Sequence, residues 1–196
     1  MAITSQNGNK SPDEALAGLG EAQAAAQRGP PPVHLWNPPF CGDIDMRIAA
    51  DGTWYYLGSP IGRLALVKLF SSILRKDPER YVLVTPVERV GIKVDDAPFL
   101  AVEMQVEEGR IGFRTQVEDF AWAGPEHPLR FEAGASEGVK PYVRVRGDLW
   151  ALVKRSLFYD LVEIGVVEAH AGEDWFGVRS DGLFFPMRPA REIEGL

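Results

Sequence analysis

The acidic side chains of the first predicted strand are the first residues that could do chemistry. Asp43, Asp45 and Arg47 alternate with apolar residues, and on a strand such alternation places all three on one face. Two carboxylates aimed in the same direction would suit a hard divalent cation or a basic group. A divalent cation usually takes more oxygen ligands than one strand supplies, so the favoured interpretation is a solvated strand face with an Asp–Arg pair.

Aromatic and basic side chains form a second candidate, a site that binds a small ligand. Their positions predict a cleft between two related halves of the chain, with aromatic walls and arginines at its mouth. Packing in the core is the alternative for the rings, and a surface turn is the alternative for the histidine. The candidate ligand-binding residues are Arg47, Trp54, Tyr56, His127, Arg130, Tyr142, Arg144 and Arg146.

Nucleophilic and metal-dependent catalysis find little support in the sequence. The single cysteine, Cys41, has no histidine beside it in the sequence, so we expect a buried structural thiol. The chain has no Walker A motif, no Gly-x-Ser-x-Gly elbow and no His-Glu-x-x-His pair. The enzyme alternative that stays open is a metal-dependent or acid/base enzyme using Asp43, Asp45 and Glu88. No cofactor is expected.

The composition is that of a folded, acidic chain of 196 residues. Acidic residues number 28 and basic residues 21, which gives a net charge of −7. Because nucleic acids and anionic membranes are bound through clustered lysine and arginine, we expect neither as the main partner. The first residues are polar and no apolar run is long enough for a membrane span, so we expect a soluble, cytoplasmic protein.

Charge is nevertheless uneven along the chain. The stretch from Glu88 to Asp119 holds eight acidic and four basic residues, whereas the stretch from Lys140 to Arg155 holds five basic residues and one acidic residue. Patches of opposite sign would suit a homodimer or a charged protein partner. They would also suit two halves that pack on each other, which is the slightly favoured interpretation.

The N-terminus is predicted to be a flexible arm. Residues 1–33 contain an alanine-rich stretch and then a proline-rich linker. A short helix is expected from Pro12 to Gln27, with Ser11 and Glu14 as its capping pair. Its apolar face consists mostly of alanine, so we expect it to dock only loosely.

Two α+β halves are predicted for the remainder, over residues 34–124 and 125–196. Alternating apolar and polar residues predict mostly antiparallel strands, with an early hairpin and a three-stranded meander near the C-terminus. Helices are predicted from Pro60 to Lys76 and from Asp148 to Gly165. The predicted fold class is therefore α+β and rich in β-structure.

An internal repeat suggests that the two halves are related. Two stretches match without gaps at an offset of 86 residues: the segment ALVK occurs at 65–68 and at 151–154, and Gly91 matches Gly177. The matches fall in the same predicted order of turn, strand, helix and strand. They therefore indicate two similar β-α-β halves.

Five segments of the chain are long enough to be specific for a family. They are CGDIDMRI from Cys41, DGTWYYLGSPI from Asp51, TPVE from Thr85, AGPEHPLR from Ala123 and FYDLVE from Phe158. These segments closely resemble an uncharacterised proteobacterial family of domains of unknown function. The resemblance covers about Pro39 to Met187, and it implies an α+β fold with repeated β-rich motifs in two halves and a role in signal transduction.

The resemblance implies no catalytic residues, and one loop departs from it. Similar sequences tend to have Trp-Ser-Ser-Gly where this chain has the segment RSDG at 179–182. The favoured hypothesis is a non-enzymatic module that binds a small ligand, anionic or otherwise, or a protein partner. The alternatives are the metal-dependent or acid/base enzyme and a scaffold that only dimerises.

Overall fold

The computed structural model describes residues 12, 16–134 and 138–193 of the chain. They divide into two compact domains. The N-terminal domain comprises the described residues up to 49 together with 53–95, and the C-terminal domain comprises 50–52 and the described residues from 96 onward. The chain therefore passes from one domain to the other near residue 95, whereas the sequence placed the division after residue 124.

The N-terminal domain is built on a six-stranded sheet with the strand order β3-β2-β1-β6-β5-β4. The predicted hairpin is confirmed, since Met46 pairs with Tyr56 and Ile48 with Trp54 in antiparallel register. The elements are α1 (Leu19–Ala26), β1 (Phe40–Ile48), β2 (Trp54–Tyr56), β3 (Ser59–Pro60), α2 (Leu64–Ser72), β4 (Leu74–Lys76), β5 (Tyr81–Val84) and β6 (Arg89–Val94).

The segment before β1 packs on the N-terminal domain. Helix α1 is shorter than the helix predicted over residues 12–27, and it buries Leu19 and Ala22. The Thr85 hydroxyl donates a hydrogen bond of 2.9 Å to the backbone oxygen of Ala17. The predicted capping pair, Ser11 and Glu14, lies outside the described residues.

The helix predicted from Pro60 to Lys76 is confirmed only in its middle, where α2 runs from Leu64 to Ser72. Pro60 instead pairs with Tyr55 at the edge of the sheet, in β3. Proline is tolerated there because an edge strand leaves one side of its backbone without ladder bonds. Residues 74–76 pair with β5, so strand pairing overrides helical periodicity at both ends.

The C-terminal domain contains a second six-stranded sheet and a three-stranded sheet. The predicted meander near the C-terminus is confirmed as β13-β14-β15. The elements are β7 (Phe99–Glu107), β8 (Arg110–Thr115), β9 (Phe120–Trp122), β10 (Leu129–Ala133), β11 (Val139–Arg146), β12 (Leu149–Val153), α3 (Arg155–Glu163), β13 (Val166–His170), β14 (Glu173–Ser180), β15 (Leu183–Pro189) and a 3-10 helix (Ala190–Glu192).

The helix predicted from Asp148 to Gly165 is wrong in its first third. Residues 149–153 form strand β12, which pairs with β11 on one side and runs parallel to β7 on the other. Leu149, Ala151 and Val153 are buried and the two residues between them are half-buried. A central strand covered on both faces is almost entirely apolar, so its sequence does not distinguish it from a buried helix.

The two six-stranded sheets have the same topology, which confirms two similar, mostly antiparallel domains. In each six-stranded sheet the strand that comes first in the chain lies in the middle, parallel to the strand of that sheet that comes last, and all other neighbours are antiparallel. Corresponding strands are about 60 residues apart: β1 begins at Phe40 and β7 at Phe99, while β6 begins at Arg89 and β12 at Leu149. The offset of 86 residues is corrected accordingly, because it aligns ALVK in helix α2 with ALVK at the end of strand β12.

Candidate functional site

One carboxylate of the C-terminal domain accepts hydrogen bonds from two polar side chains of the same domain. Asp96 accepts a hydrogen bond of 2.7 Å from the Tyr142 hydroxyl and one of 2.5 Å from Lys140 Nζ. Burial by itself raises the pKa of Asp96, but the hydrogen bonds from Lys140 and Tyr142 and the positive charges of Lys140 and Arg130 outweigh it and lower the pKa. Burial, together with the bond to Asp96, raises the pKa of Tyr142. Asp96 is therefore an ionised structural anchor at neutral pH.

The same face of the sheet carries a stack of rings around one arginine. Arg130 on β10 is the cross-strand partner of Tyr142 on β11. Its guanidinium carbon lies 5.1 Å from the centre of the Tyr142 ring and 4.3 Å from that of Trp150. Arg130 also forms an ion pair of 2.9 Å with Glu132. Tyr142 and Arg130, both predicted to bind ligand, are thus brought together, but each is already engaged within the domain.

The other candidates of the C-terminal domain also have partners within it. His127 Nδ1 lies 3.0 Å from the backbone oxygen of Arg144, and Arg144 Nε donates to the backbone oxygen of Gly147. Arg146 pairs with Asp119, and its guanidinium carbon lies 4.9 Å from the centre of the Phe99 ring. These contacts lie at the C-terminal end of β11 and at the turn that follows it.

The remaining candidates, Arg47, Trp54 and Tyr56, belong to the N-terminal domain. Trp54 is buried and stacks on Phe70, with 6.2 Å between ring centres. Arg47 forms an ion pair of 2.9 Å with Asp95 and lies over the ring of Tyr55. Tyr56 is half-buried on β2. Trp54 therefore lies in the core, which was the alternative interpretation for the aromatic candidates.

Two of the three carboxylates of the enzyme alternative, Asp43 and Glu88, have separate partners. Asp43 forms an ion pair of 3.2 Å with Arg80, Asp45 is exposed on β1, and Glu88 accepts a hydrogen bond from the backbone of Ala17. Within the described residues, no group of three or more His, Cys, Asp or Glu side chains could hold a metal ion. Cys41, which was expected to be buried, is exposed, because it lies near the start of β1, where the strand is not yet covered.

The loop that departs from the resemblance is held by its own domain. The buried Ser180 hydroxyl donates a hydrogen bond of 2.6 Å to the backbone oxygen of Ala123 and accepts one of 2.8 Å from the amide of Ile111. Arg179 pairs with Glu168 on β13. The segment departs from similar sequences only at positions 179 and 181, so the ion pair of Arg179 belongs to the departure, whereas Ser180, which bonds β14 to Ala123 and Ile111, is the same residue in both.

A cavity of about 530 Å³ lies in the C-terminal domain, where the ends of β11 and β12 meet α3. Its described lining combines the basic side chains of Lys140 and Arg155 with Phe158, Tyr159 and Leu152. Arg155 Nε donates a hydrogen bond of 3.1 Å to the Tyr159 hydroxyl. None of these residues was predicted to bind a ligand, although the basic stretch from Lys140 to Arg155 and the segment FYDLVE both lie in this region.

The fold defines a class of protein with two β-rich domains of the same strand topology. Residues 31–97 match the family model described as "Domain of unknown function (DUF1285), N-terminal domain", and residues 98–187 match "Protein of unknown function (DUF1285), C-terminal domain". The chain belongs to the DUF1285 family. The boundary between the matches lies close to the division of the two domains, and the predicted family resemblance is confirmed.

Two solved structures support this assignment. The chain is 50% identical to a DUF1285 family protein from Silicibacter pomeroyi, with a TM-score of 0.82 and coverage of 92% of this chain and 99% of that one. It is 27% identical to a DUF1285 family protein from Shewanella baltica, with a TM-score of 0.50 and coverage of 61% of this chain and 91% of that one. No curated protein sequence matches the chain. Among the described residues, no helix has the length and apolar character needed to cross a membrane.

Proposed function

We propose that the chain is a non-enzymatic binding module whose C-terminal domain holds a small anionic ligand in the cavity beside α3. In this proposal the ligand is a signal, and its binding reports its concentration to a signalling pathway. The role in signal transduction rests on the family resemblance, whereas the site and the charge of the ligand rest on the cavity.

The observation that carries the proposal is the charge of the cavity lining. Both charged side chains of the described lining, Lys140 and Arg155, are basic, and no described lining residue is acidic. Asp96, the partner of Lys140, neutralises one of them, which leaves the positive charge of Arg155. A ligand with at least one negative charge would complement this lining.

The aromatic part of the lining supports a ligand that also has an apolar portion. Phe158 and Tyr159 of the lining belong to α3, and Leu152 belongs to β12. Tyr159 is exposed on α3, so a ligand that covered its ring would remove apolar surface from water. The volume of the cavity falls within the range typical of small-molecule sites, about 300–1,000 Å³.

A thermal-shift screen of the full chain against small anions with aromatic or aliphatic parts tests the proposal. A ligand that binds only the native state raises the unfolding temperature. For a compound that does so, Arg155→Gln should weaken binding about tenfold, because it removes a charge-assisted contact. Lys154→Gln is the matched control, since it removes the same charge from an exposed neighbour outside the described lining.

Two results would contradict the proposal. One is a screen in which no anion raises the unfolding temperature. The other is a bound anion whose affinity falls equally in the Arg155 and Lys154 variants, because that would reflect the general charge of the domain and not the cavity.

A further inference from the structure

The three-stranded sheet of the C-terminal domain has an exposed edge. Strand β13 comes first in the order β13-β14-β15, so it pairs with β14 on one side and with no described strand on the other. Most of its residues are exposed, namely Val166, Val167, Ala169 and His170. An edge of this kind presents backbone N–H and C=O groups to which a strand of another chain can bind.

The turn after β13 identifies the backbone groups that face this edge. Ala171 and Gly172 connect β13 to β14 and both have a positive φ, 53° and 90°, as a two-residue type I′ turn requires. The carbonyl of His170 therefore points toward β14. Because backbone groups alternate in direction along a strand, those of Val167 and Ala169 point to the exposed edge. Outside the β14 ladder, neither residue makes a backbone hydrogen bond to another described residue.

The other edge strands of the described sheets are short, covered or interrupted by proline. Strands β3, β4 and β9 have only two or three residues each. Strands β10 and β15 approach each other, and β15 contains Pro186 and Pro189. These are features by which proteins prevent pairing between sheet edges.

Strand β13 has none of these features. Its five residues, VVEAH, pair with β14 in regular register, without a bulge, a proline or a lysine. Its one carboxylate, that of Glu168, forms an ion pair with Arg179 of β14. The edge is therefore uninterrupted and its carboxylate is neutralised within the same sheet.

Exposed apolar side chains adjoin the edge. Val162 and Ile164, at the C-terminal end of α3, are exposed, and they immediately precede the exposed Val166 and Val167. Contiguous exposed apolar side chains are typical of an interaction surface. Together with the outward-facing backbone groups, they favour a partner that adds a strand to this sheet.

We propose that β13 is the interface of a homodimer, in which the β13 strands of two copies pair antiparallel across a two-fold axis and join the two sheets into one. With Glu168 at the axis, the N–H and C=O of Val167 bond to Ala169 of the partner subunit, and the reciprocal pair forms by symmetry. The four outward-facing groups of each copy are then satisfied.

A second copy is the partner that the charge of the edge favours. The chain has a net charge of −7, which opposes self-association in general. The ion pair between Glu168 and Arg179 removes this opposition at β13, because like charges directly across two strands would otherwise be destabilising. The inference does not depend on a ligand beside α3, since no residue of β13 belongs to the described lining of that cavity.

Sedimentation of the full chain at increasing concentration tests the proposal, and we expect a monomer–dimer equilibrium. Val167→Lys places a charge on the edge and should raise the dissociation constant about tenfold or more. Val106→Lys on β7 is the matched control, because Val106 is 52% exposed and Val167 is 57% exposed. A chain that stays monomeric at every concentration, or equal weakening by the two variants, would overturn the proposal.

A second variant tests the backbone pairing itself. Ala169→Pro removes one outward-facing N–H but no hydrogen bond of the β14 ladder, so it should weaken the dimer about tenfold and leave the monomer folded. The unfolding midpoint of each variant is measured first. A folded Ala169→Pro variant that dimerises as tightly as the wild type would show that β13 does not pair.

Hydrogen exchange of the wild type, followed residue by residue by NMR, needs no variant. The amides of Val167 and Ala169 should exchange about tenfold more slowly in a sample that is mostly dimer than in a dilute sample. The amide of Glu168 faces β14 and should be protected in both. If a dimer forms and the two outward-facing amides exchange at the same rate as in the monomer, the interface lies elsewhere and the inference is wrong.

Discussion

The two domains have sheets of the same topology but differ in the elements that surround those sheets. A cavity of about 380 Å³ in the N-terminal domain is lined by charges of both signs, and two of them, Asp43 and Arg80, form an ion pair with each other. In the C-terminal domain, α3 and the sheet β13-β14-β15 come after the six-stranded sheet, and two larger cavities, of about 530 Å³ and 700 Å³, have linings from these added elements. The larger cavities therefore border elements that follow the shared scaffold, and the proposed ligand site lies among those elements.

The adjacent residues Asp95 and Asp96 belong to different domains and differ in their surroundings. Asp95 belongs to the N-terminal domain and pairs with the half-buried Arg47. Asp96 belongs to the C-terminal domain, has a side chain that is only 14% exposed, and accepts hydrogen bonds from Lys140 and Tyr142. The N-terminal pair contacts water, whereas the C-terminal cluster organises the polar face of a sheet.

The largest expected effect tests whether the two domains are stabilised by separate cores. Phe70→Ala should destabilise the N-terminal domain by about 3–5 kcal/mol, because a large buried ring is replaced by a cavity. Phe70 is fully buried and stacks on Trp54. Hydrogen exchange followed by mass spectrometry should show faster exchange over residues 40–94. A single denaturation curve is less informative, because two domains need not unfold in one step.

Phe113→Ala is the matched variant of the C-terminal domain, since Phe113 on β8 is equally buried. It should accelerate exchange over residues 99–153 and spare the N-terminal sheet. If each substitution accelerated hydrogen exchange equally in both six-stranded sheets, the two domains would not be stabilised by separate cores.

A smaller effect is expected from glycines that occupy strands in both domains. A Cβ at Gly177 would lie 2.2 Å from the backbone oxygen of Phe185, and backbone cannot move away cheaply. A Cβ at Gly91 would meet the Asp43 carboxylate, which is the end of an exposed, flexible side chain. Gly177→Ala should therefore destabilise its domain by about 3 kcal/mol. Gly91→Ala should have an effect below about 1 kcal/mol, since it disturbs only a surface ion pair.

Guanidinium denaturation of both glycine variants, monitored by domain-resolved hydrogen exchange, measures the difference. A Gly91 variant as unstable as the Gly177 variant would show that Asp43 is held rigidly, and the contrast between the two strands would disappear.

The acid stability of the C-terminal domain should depend on Asp96. Its pKa is lower in the folded state than in the unfolded chain, so its ionised form contributes stability that is complete above its ordinary pKa, near 4, and is lost as the pH falls through the folded value. Asp96→Asn should reduce stability at pH 7 by about 1.5 kcal/mol, because a hydrogen bond to a charged group is weakened. The variant should also lose less stability below pH 4 than the wild type does.

The stability of the C-terminal domain at alkaline pH gives a related test with a smaller expected effect. Burial and the bond to Asp96 raise the pKa of Tyr142, so its contribution is complete below the ordinary phenol pKa, near 10, and is lost as the pH rises beyond it. Tyr142→Phe should lower stability by about 1 kcal/mol at pH 7 and should flatten the decline above pH 10. If the stability of Tyr142→Phe declined above pH 10 as steeply as that of the wild type, the Tyr142 hydroxyl would be exposed to water in the folded state and not bonded to Asp96.

Much of the fold was predictable because its strands alternate. The hairpin of β1 and β2 and the C-terminal meander are indicated by alternation between turn residues. Strand β12 was not predictable in this way, because a central strand buried on both faces has no alternation. The correct repeat offset could not be read from the sequence either. Corresponding strands of the two domains occupy the same places in their sheets but have few identical residues.

The site was less predictable than the fold. The sequence identified Arg130 and Tyr142 as candidate ligand-binding residues, and the structure brings them together. In the folded domain, however, Arg130 contacts Glu132 and Trp150, and Tyr142 is bonded to Asp96. Which polar groups stay unpaired depends on contacts between residues distant in sequence. For the same reason, the cavity beside α3 could be recognised only in the folded domain.

The smallest effect should come from the exposed ion pair of the N-terminal domain. The side chains of Arg47 and Asp95 are 42% and 26% exposed, so water screens their attraction, and such pairs contribute about 0–1 kcal/mol. Arg47→Gln should therefore change stability by about 0.5 kcal/mol, and added salt should reduce even this difference. Urea denaturation at low and high salt, with Asp95→Asn and Asp96→Asn as the matched pair of carboxylate variants, measures the contrast, because the Asp96 side chain is only 14% exposed. If Asp95→Asn proved as destabilising as Asp96→Asn, the two adjacent carboxylates would have equivalent roles, and the distinction between a solvent-exposed ion pair and a structural cluster would be lost.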